Sequence, residues 1–354
     1  MDQRVQDRVS LDALDGFCRG VFLACGANEA TADAATRAMM HGTRHGVDSH
    51  GIRLLPHYVA ALEGGRINGN PEIQVVNAFG VVETLDANDA HGALATYTAM
   101  DRAIALARQF GLGAVGIRNS SHFGPAGAYS IEAARQGLIG FCFCNSDSFV
   151  RLHCGAQRFH GTNPISVAVP AEGQDPWLLD MATSAVPFNR VLLYRSTGMT
   201  LPQSIASDAE GIDTQDADAV EMLAPLGGDF GFKGAGLAGL AEILSAVLTG
   251  MRLSFDLPGM ISSDMATPRG LGAFVLAIKP EAFGDRATFE AGMARYLDVL
   301  RNSPAREGQR VMAPGDREWQ VAAQREKSGV DIDPATRDAF AALGQKYGVE
   351  LPTG

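Results

Sequence analysis

The sequence predicts an α/β protein that begins with a small helical module, and three observations carry that prediction. Of its 354 residues 41 are glycine and only 7% are aromatic, a balance that excludes a plain helical bundle and implies many tight strand-to-helix turns. The early chain reads as helices at a 3.6-residue period, including an Ala-rich one low in glycine. Beyond the turn Gly64-Gly65-Arg66-Ile67-Asn68-Gly69-Asn70-Pro71 the pattern changes to alternating strands and helices, as in an α/β domain.

Taken in order, Ser10 is placed to cap a helix whose Leu11, Leu14, Cys18, Val21 and Cys25 form one stripe closed by Gly26. A second helix runs from about Glu29 to Arg44. After the turn, Ile73–Val76 and Val81–Leu85 read as strands and Ala95–Phe110 as a helix ended by Gly111. Leu112–Ile117 is a strand, Gly127–Arg135 a helix closed by Gly137, and Leu138–Cys144, Ile165–Val169 and Trp177–Met181 are strands. A helix near Ala185–Ser196 leads into an acidic stretch, Ser207–Asp218, expected as solvated surface. Ala235–Leu248 is apolar almost all round and is expected to be a buried helix. Gly272–Ile278 returns as a strand, and the remainder is mostly amphipathic helix. The division this implies is a helical module over 1–70 joined by 300–354, and an α/β domain over 71–299.

Composition excludes several classes of function. With 46% hydrophobic and 19% charged residues the chain is neither disordered nor fibrous. Twenty-nine Lys and Arg against 40 Asp and Glu give a net charge of -11, with no basic stripe, so nucleic acid is not an expected partner. No run approaches a membrane span and Met1–Ser10 lacks a leader's apolar core, so a cytoplasmic protein is expected, with no membrane partner. The five cysteines are scattered and read as reduced core thiols.

Four segments carry chemistry. Four of the eight histidines, His41, His45, His50 and His57, lie close together. Singly each fits a polar loop over an interdomain cleft. Together, Asp48, Ser49 and His50 offer polar groups that hydrogen-bond in series, followed by Gly51 and Arg53, and so form a proton donor beside a carboxylate binder. A metal-dependent hydrolase built on His41, His45 and His50 is the alternative from a different class. His41 and His45 are spaced to share a helix face, yet a third ligand at fixed spacing is missing and the glycines interrupt the helix; no metal is expected. Arg118 to Gly127, with His122 at a strand end, opens a helix whose free N–H groups suit a phosphate.

Small polar corners recur at Cys144-Asn145-Ser146, Gly161-Thr162-Asn163-Pro164 and Asp180-Met181-Ala182-Thr183-Ser184, a rim suited to a nucleotide. Gly234, Gly236 and Gly239 match GxGxxG, but a glycine loop precedes them where a dinucleotide-binding fold needs an apolar strand. They read as glycines that let a buried helix pack closely. Lys233, charged where the chain is about to be buried, asks for a phosphate or ribose partner.

In combination these segments closely resemble the malate/L-lactate dehydrogenase family that is distinct from Rossmann dehydrogenases and includes ureidoglycolate, sulfolactate and diketogulonate oxidoreductases and a cyclic-imine reductase. The resemblance runs from Leu11 to about Asp333 through Val47–Ile52, Gly64–Asn68, Arg118–Gly124, Gly161–Pro164, Leu179–Ser184 and Lys233–Leu237. It implies a non-Rossmann NAD(P)-binding α/β domain with a mixed sheet flanked by helices, a smaller helical domain, and a homodimer with the site in the interdomain cleft. By position, Ser49 and His50 match the family's proton-relay pair, and His122 a histidine assigned as acid/base in some members. His122, Phe123, Gly124, Ser146, Thr162, Asp180, Met181, Ala182 and Lys233 match cofactor-contacting positions, and Gly315 with Arg317 looks like the C-terminal segment that reaches the cofactor.

Two departures stand out. Leu54 occupies the position where many members carry a carboxylate-clamping arginine, and Arg53 lies one residue earlier. Asn189-Arg190 stands where many have Gly-Lys; Arg190 keeps the charge without a lysine's shape or titration. The expected activity is reversible hydride transfer between NAD or NADP and C2 of a small 2-oxo/2-hydroxy acid, with Arg53 or Arg190 on the carboxylate. The same chemistry on a cyclic imino acid, and a catalytically silent nucleotide-binding protein, are the other readings.

Overall fold

In the computed structural model, which describes residues 8–352, the sequence periodicities resolve into ten helices and thirteen strands among the described residues. Residues 1–7, most of the stretch read above as lacking a leader's core, lie outside them. A short strand β1 (Arg8–Val9) precedes α1 (Leu11–Ala24) and α2 (Glu29–Arg44). Ser10 Oγ accepts from Ala13 N at 3.2 Å and Asn28 Oδ1 from Thr31 N at 2.8 Å, so each helix starts on a side-chain cap. The helix α3 (Leu55–Glu63) follows two 3₁₀ turns. These helices bury Leu14, Phe17, Cys18, Val21, Phe22, Met39, Leu55 and Tyr58 in one core, which Val330, Ile332 and Phe340 complete from the far end of the chain.

The α/β part begins with β2 (Gln74–Phe79), β3 (Val82–Asp86), α4 (Gly92–Phe110), β4 (Leu112–Ser120), α5 (Gly127–Arg135) and β5 (Ile139–Cys144). It continues through β6 (Val150–Arg151), β7 (Arg158–His160), β8 (Ile165–Val169), β9 (Trp177–Met181), α6 (Phe188–Thr197), β10 (Ala206–Ser207), β11 (Met222–Leu223), α7 (Phe232–Glu242) and β12 (Leu271–Ile278). The main sheet has seven strands in the order β2-β3-β4-β12-β5-β8-β9. Within it β3 and β4 run parallel and every other neighbouring pair antiparallel. This mixed sheet is the expected non-Rossmann architecture.

Alternation along β12 shows how the two faces are filled: Val275 points into the core under α4, and Phe274, next in sequence, packs with Phe143 and Ala241 on the opposite face. The chain ends in α8 (Arg286–Arg301), α9 (Asp316–Ser328), β13 (Val330–Asp331) and α10 (Pro334–Tyr347), with β13 pairing antiparallel to β1.

Several expectations are corrected. The segment expected as a buried helix is α7 plus a π-helical turn (Ile243–Val247), and one flank is bare: Ile243, Val247 and Leu248 are 55, 59 and 63% exposed. Apolar residues all round a helix therefore did not mean burial all round within this chain. Of the GxGxxG glycines only Gly234 is required by packing, since a Cβ there would lie 2.3 Å from Leu226 O, while Gly236 and Gly239 face open space. Gly42 lies inside α2 and does not interrupt it. Cys154 is exposed, not a core thiol. The acidic stretch is exposed only in part, because Ser207 and Ala217 are buried and Asp213 pairs with Arg151. Among the described residues no helix is long and apolar enough to cross a membrane.

Candidate active site

The last turn of α2 delivers the chain into the Asp48–His50 turn, and glycine makes the contact possible. A Cβ on Gly42 would sit 2.7 Å from His50 O, so only glycine lets the following loop fold back onto the helix. Ile52 N then donates to Thr43 Oγ1 at 2.9 Å. Asp48 does not continue the expected hydrogen-bonded series. Its carboxylate receives both Arg325 nitrogens, at 2.5 and 2.9 Å, and ties the loop to α9. The adjacent pair does form: Ser49 Oγ lies 2.9 Å from His50 Nδ1.

From the other side, β4 ends at Ser120 and the chain turns so that His122 meets His50, with ring centroids 5.8 Å apart. Ser121 holds this corner by accepting from Gly92 N at 2.9 Å and donating to Ala90 O at 3.0 Å. Tyr58 Oη lies 2.8 Å from His122 Nδ1, and the Tyr58 ring packs edge-on to His91 with centroids 4.2 Å apart. Burial pushes the Tyr58 phenol up, so it stays protonated and donates to Nδ1; the proton of neutral His122 then sits on Nε2. Burial also lowers His122 well below the usual histidine range, and its coupling to the neighbouring His50 and to the Arg269 guanidinium adds to this. His50 is lowered by burial alone. Of the stacked pair, His50 is the one freer to carry a proton.

Two buried guanidiniums act on these histidines: Arg66, read in the sequence only as part of a boundary turn and a family marker, and Arg269, which the sequence reading missed. Arg269 donates Nε to Pro258 O at 3.0 Å and pairs with Asp147, but its Nη1 has no partner. Arg66 donates to Gly259 O and Asp264 O and leaves Nε unpartnered. Burial first, then these two charges, brings His57 to about 4. A buried arginine with an idle donor is costly unless something else uses it. The signal available in sequence was only an arginine just before a core strand, which no spacing rule singles out.

The polar corners converge at the ends of β5, β8 and β9. Ser146 Oγ accepts from Thr162 N at 3.0 Å, and Ser146 N donates to Asn163 Oδ1 at 3.1 Å. Beneath them Glu242, also missed in sequence, is buried and receives Asn163 Nδ2 at 2.7 Å, Asn145 Nδ2 at 3.4 Å and Ser254 N at 2.6 Å. Asp180 is open to solvent yet hemmed in by protein, and this burial pushes it up to about 6 against the opposing pull of the Gly127 N–H. That N–H reaches Asp180 Oδ2 at 2.8 Å. The α5 N-terminus, expected to suit a phosphate, thus already carries an anion of the chain's own.

Phe123 and Gly124 are buried below Tyr129, Met181 and Ala182 are partly open, and Lys233 is exposed with its ammonium over the Phe230 ring at 5.4 Å. Gly315 lies in a turn stitched to β9 by Leu178 N donating to Pro314 O, and Arg317 is exposed and paired with Glu318. Arg53 is committed to Asp333 at 3.0 Å, while Arg190 at the start of α6 is exposed. The histidines of the metal reading separate: His45 donates toward His41 O, His50 stacks on His122, and no group of three ligating side chains among the described residues could hold a metal.

The malate/L-lactate dehydrogenase family profile matches residues 9–341. The chain belongs to that family. It is 32% identical to a malate dehydrogenase of Pyrococcus abyssi over 97% of this chain and 96% of the relative. It is also 32% identical to a (2R)-3-sulfolactate dehydrogenase (NADP(+)) of Chromohalobacter salexigens, over 94 and 97%. The crystal structure of malate dehydrogenase from Entamoeba histolytica superposes with a TM-score of 0.92 at 30% identity, covering 98% of this chain and 99% of that one. Family membership makes the chain an oxidoreductase, and the proteins it resembles include malate and sulfolactate dehydrogenases as well as a delta1-piperideine-2-carboxylate reductase from Pseudomonas syringae.

Proposed function

We propose that the protein reversibly transfers a hydride between NAD or NADP and C2 of a small 2-oxo/2-hydroxy acid at the His50–His122 pair. That pair is the observation that carries the reading: two imidazoles stacked between the N-terminal helices and the sheet, each fixed at Nδ1 by a different hydroxyl.

The residues present fit a dinucleotide. The Ser146 and Thr162 hydroxyls are partly open at one corner, and Gly124, at φ +78°, brings backbone to the strand end without a side chain. Asp180, Met181, Ala182, Lys233, Gly315 and Arg317 would complete its contacts, with His122 and Phe123 at the reacting end. When bound, the nicotinamide supplies or receives the hydride. The rest falls to the protein. With Nδ1–H donating to Ser49 Oγ, His50 exchanges its proton through Nε2, giving it to the forming alkoxide in reduction and taking it back in oxidation. His122, neutral and protonated on Nε2, donates a hydrogen bond to the same oxygen. The substrate carboxylate is held by Arg269 through its idle Nη1, with Arg190 at the rim; Arg53 is occupied by Asp333.

We also propose a homodimer, because the bare flank of α7 and its π turn presents Leu237, Leu240, Ile243, Val247 and Leu248 in one row, and a self-complementary apolar face is what a two-fold contact requires.

The test is an absorbance assay of NADH and NADPH oxidation against pyruvate, oxaloacetate, a sulfonated and a branched 2-oxo acid, and a cyclic imine carboxylate. Turnover of a 2-oxo acid is expected, lost in His50→Gln. Turnover of the imine alone moves the assignment to the imino acid reading, and cofactor binding without any turnover overturns it.

A further inference from the structure

The turn that carries the proton relay has little rigidity of its own. Asp48–His50 is a single 3₁₀ turn of three residues without a side-chain cap, set between Gly46, at φ +77°, and Gly51. So short a turn does not hold its own place, yet misplacing a reacting group by about 1 Å costs about a hundredfold in rate. Its position must be imposed from outside. Two restraints come from α2: Val47 N donates to Gly42 O at 2.8 Å and Ile52 N to Thr43 Oγ1 at 2.9 Å. The third comes from 277 residues further along the chain. Arg325 Nη1 donates to Thr43 O, in the last turn of α2, and to Asp48 Oδ1, while Nη2 donates to Asp48 Oδ2. One guanidinium thus closes the gap between the end of α2 and the residue directly before Ser49 and His50, with a planar fork that a lysine ammonium cannot reproduce.

The helix that presents Arg325 is anchored at its other end to the cofactor edge of the sheet. Pro314 O accepts from Leu178 N at 3.1 Å, Trp319 Nε1 donates to Pro176 O at 3.0 Å, and Trp319 packs against the cluster of Ile131, Ala134, Ala168 and Leu178. From there β9 runs on to Asp180 and Met181. Along α9, Trp319 and Arg325 are about 9 Å apart at the helical rise per residue. Between them the chain after α2 lies close against the helix: a Cβ on Gly46 would sit 2.9 Å from Val321 Cγ1, and His45 meets the Trp319 ring edge-on with centroids 4.9 Å apart.

We infer that Arg325 is a positioning residue for the Ser49–His50 relay, and that α9 is the strut that sets the relay's distance from the cofactor edge of β9; the inference rests on the hydride-transfer reading of the cleft. The ion pair is partly open to solvent, with Arg325 19% and Asp48 41% exposed, so it adds little to stability. What it supplies is register. A neighbouring pair gives the contrast. Arg44 and Glu326, next in sequence to Thr43 and Arg325, join the same two helices at 2.6 Å without a bond to the turn.

The test compares Arg325→Gln, Asp48→Ala, their double variant and Arg44→Gln in the full-length protein. With the 2-oxo acid that the wild type turns over, Arg325→Gln should lower kcat about tenfold while cofactor KM and Tm stay nearly unchanged. Asp48→Ala should match it, and the double variant should fall no further. Arg44→Gln should keep full activity. A second readout needs no turnover: in an NMR titration of the histidine Cε1–H signals, His50, held below 6.5 by burial in the native protein, should move toward 6.5 in Arg325→Gln as the loosened turn admits water. An unmoved His50 overturns the positioning role, as does an equal loss of kcat in Arg44→Gln or an additive loss in the double variant. If His50 moves but the wild type turns over no 2-oxo acid, the positioning role stands and the hydride-transfer reading is what fails.

Discussion

Tyr58 Oη lies 2.8 Å from His122 Nδ1, joining α3 to the loop after β4. The bond selects the tautomer that aims an Nε2 proton at the cleft. Tyr58→Phe leaves a buried ring nitrogen unpaired and frees the tautomer, at a cost of about 1–3 kcal/mol. A fall in kcat of about ten- to hundredfold is expected with little change in cofactor KM; stopped-flow and steady-state assays check it, and unchanged kcat removes the positioning role.

The two histidines should separate by pH. In the proposed reaction His50 is protonated for reduction and neutral for oxidation, and burial sets its pKa below the ordinary 6.5. Oxidative kcat/KM should therefore hold down to lower pH than a free histidine allows, and reductive kcat/KM should already decline below neutrality. His50→Gln abolishes this limb, whereas His122→Gln lowers the rate and leaves the limb in place. The reverse outcome would exchange their roles.

Acid stability has a worked sign. His57 and His91 are held by burial at about 4 and about 3, below the ordinary 6.5. The stability they contribute is complete above pH 6.5 and is lost as pH falls through those values, because the unfolded chain takes up protons first. Asp180, raised to about 6, acts oppositely: its contribution is complete below 3.8 and fades as pH rises through 6. His91 also caps α4, accepting from Ala93 N at 3.1 Å, a role asparagine can take. His91→Asn should lower Tm at pH 8 by opening space beside Tyr58, yet flatten the decline of Tm between pH 6.5 and 4.

Glu242 joins the ends of β5 and β8 to the loop at Ser254 from a buried position. Glu242→Gln replaces an acceptor by a donor facing other donors, and is expected to destabilise by about 1–3 kcal/mol in urea. Because Asn163 accepts from Ser146 N, cofactor KM should rise more than kcat falls. A purely structural role would lower stability alone.

Ile243→Glu places a carboxylate in the middle of the bare α7 flank. Sedimentation should then show a species of half the native mass, with the fold retained by circular dichroism. If the native protein already sediments as a monomer, the face has another use.

Periodicity and punctuation were enough for most elements: Gly127–Arg135, Ile165–Val169 and Trp177–Met181 stand where the sequence reading put them, because spacing and terminal residues act locally. The ordered motifs likewise carried the family. What local pattern could not carry was pairing across distance. That Asp48 leaves its neighbours for Arg325, that Arg53 is occupied by Asp333, that Arg269 and Glu242 stand under the site, and that α7 keeps one apolar flank bare all depend on which surfaces meet. Residue type and spacing set what each side chain can do; burial and partners, known only once the chain has closed on itself, decide which of those possibilities is used.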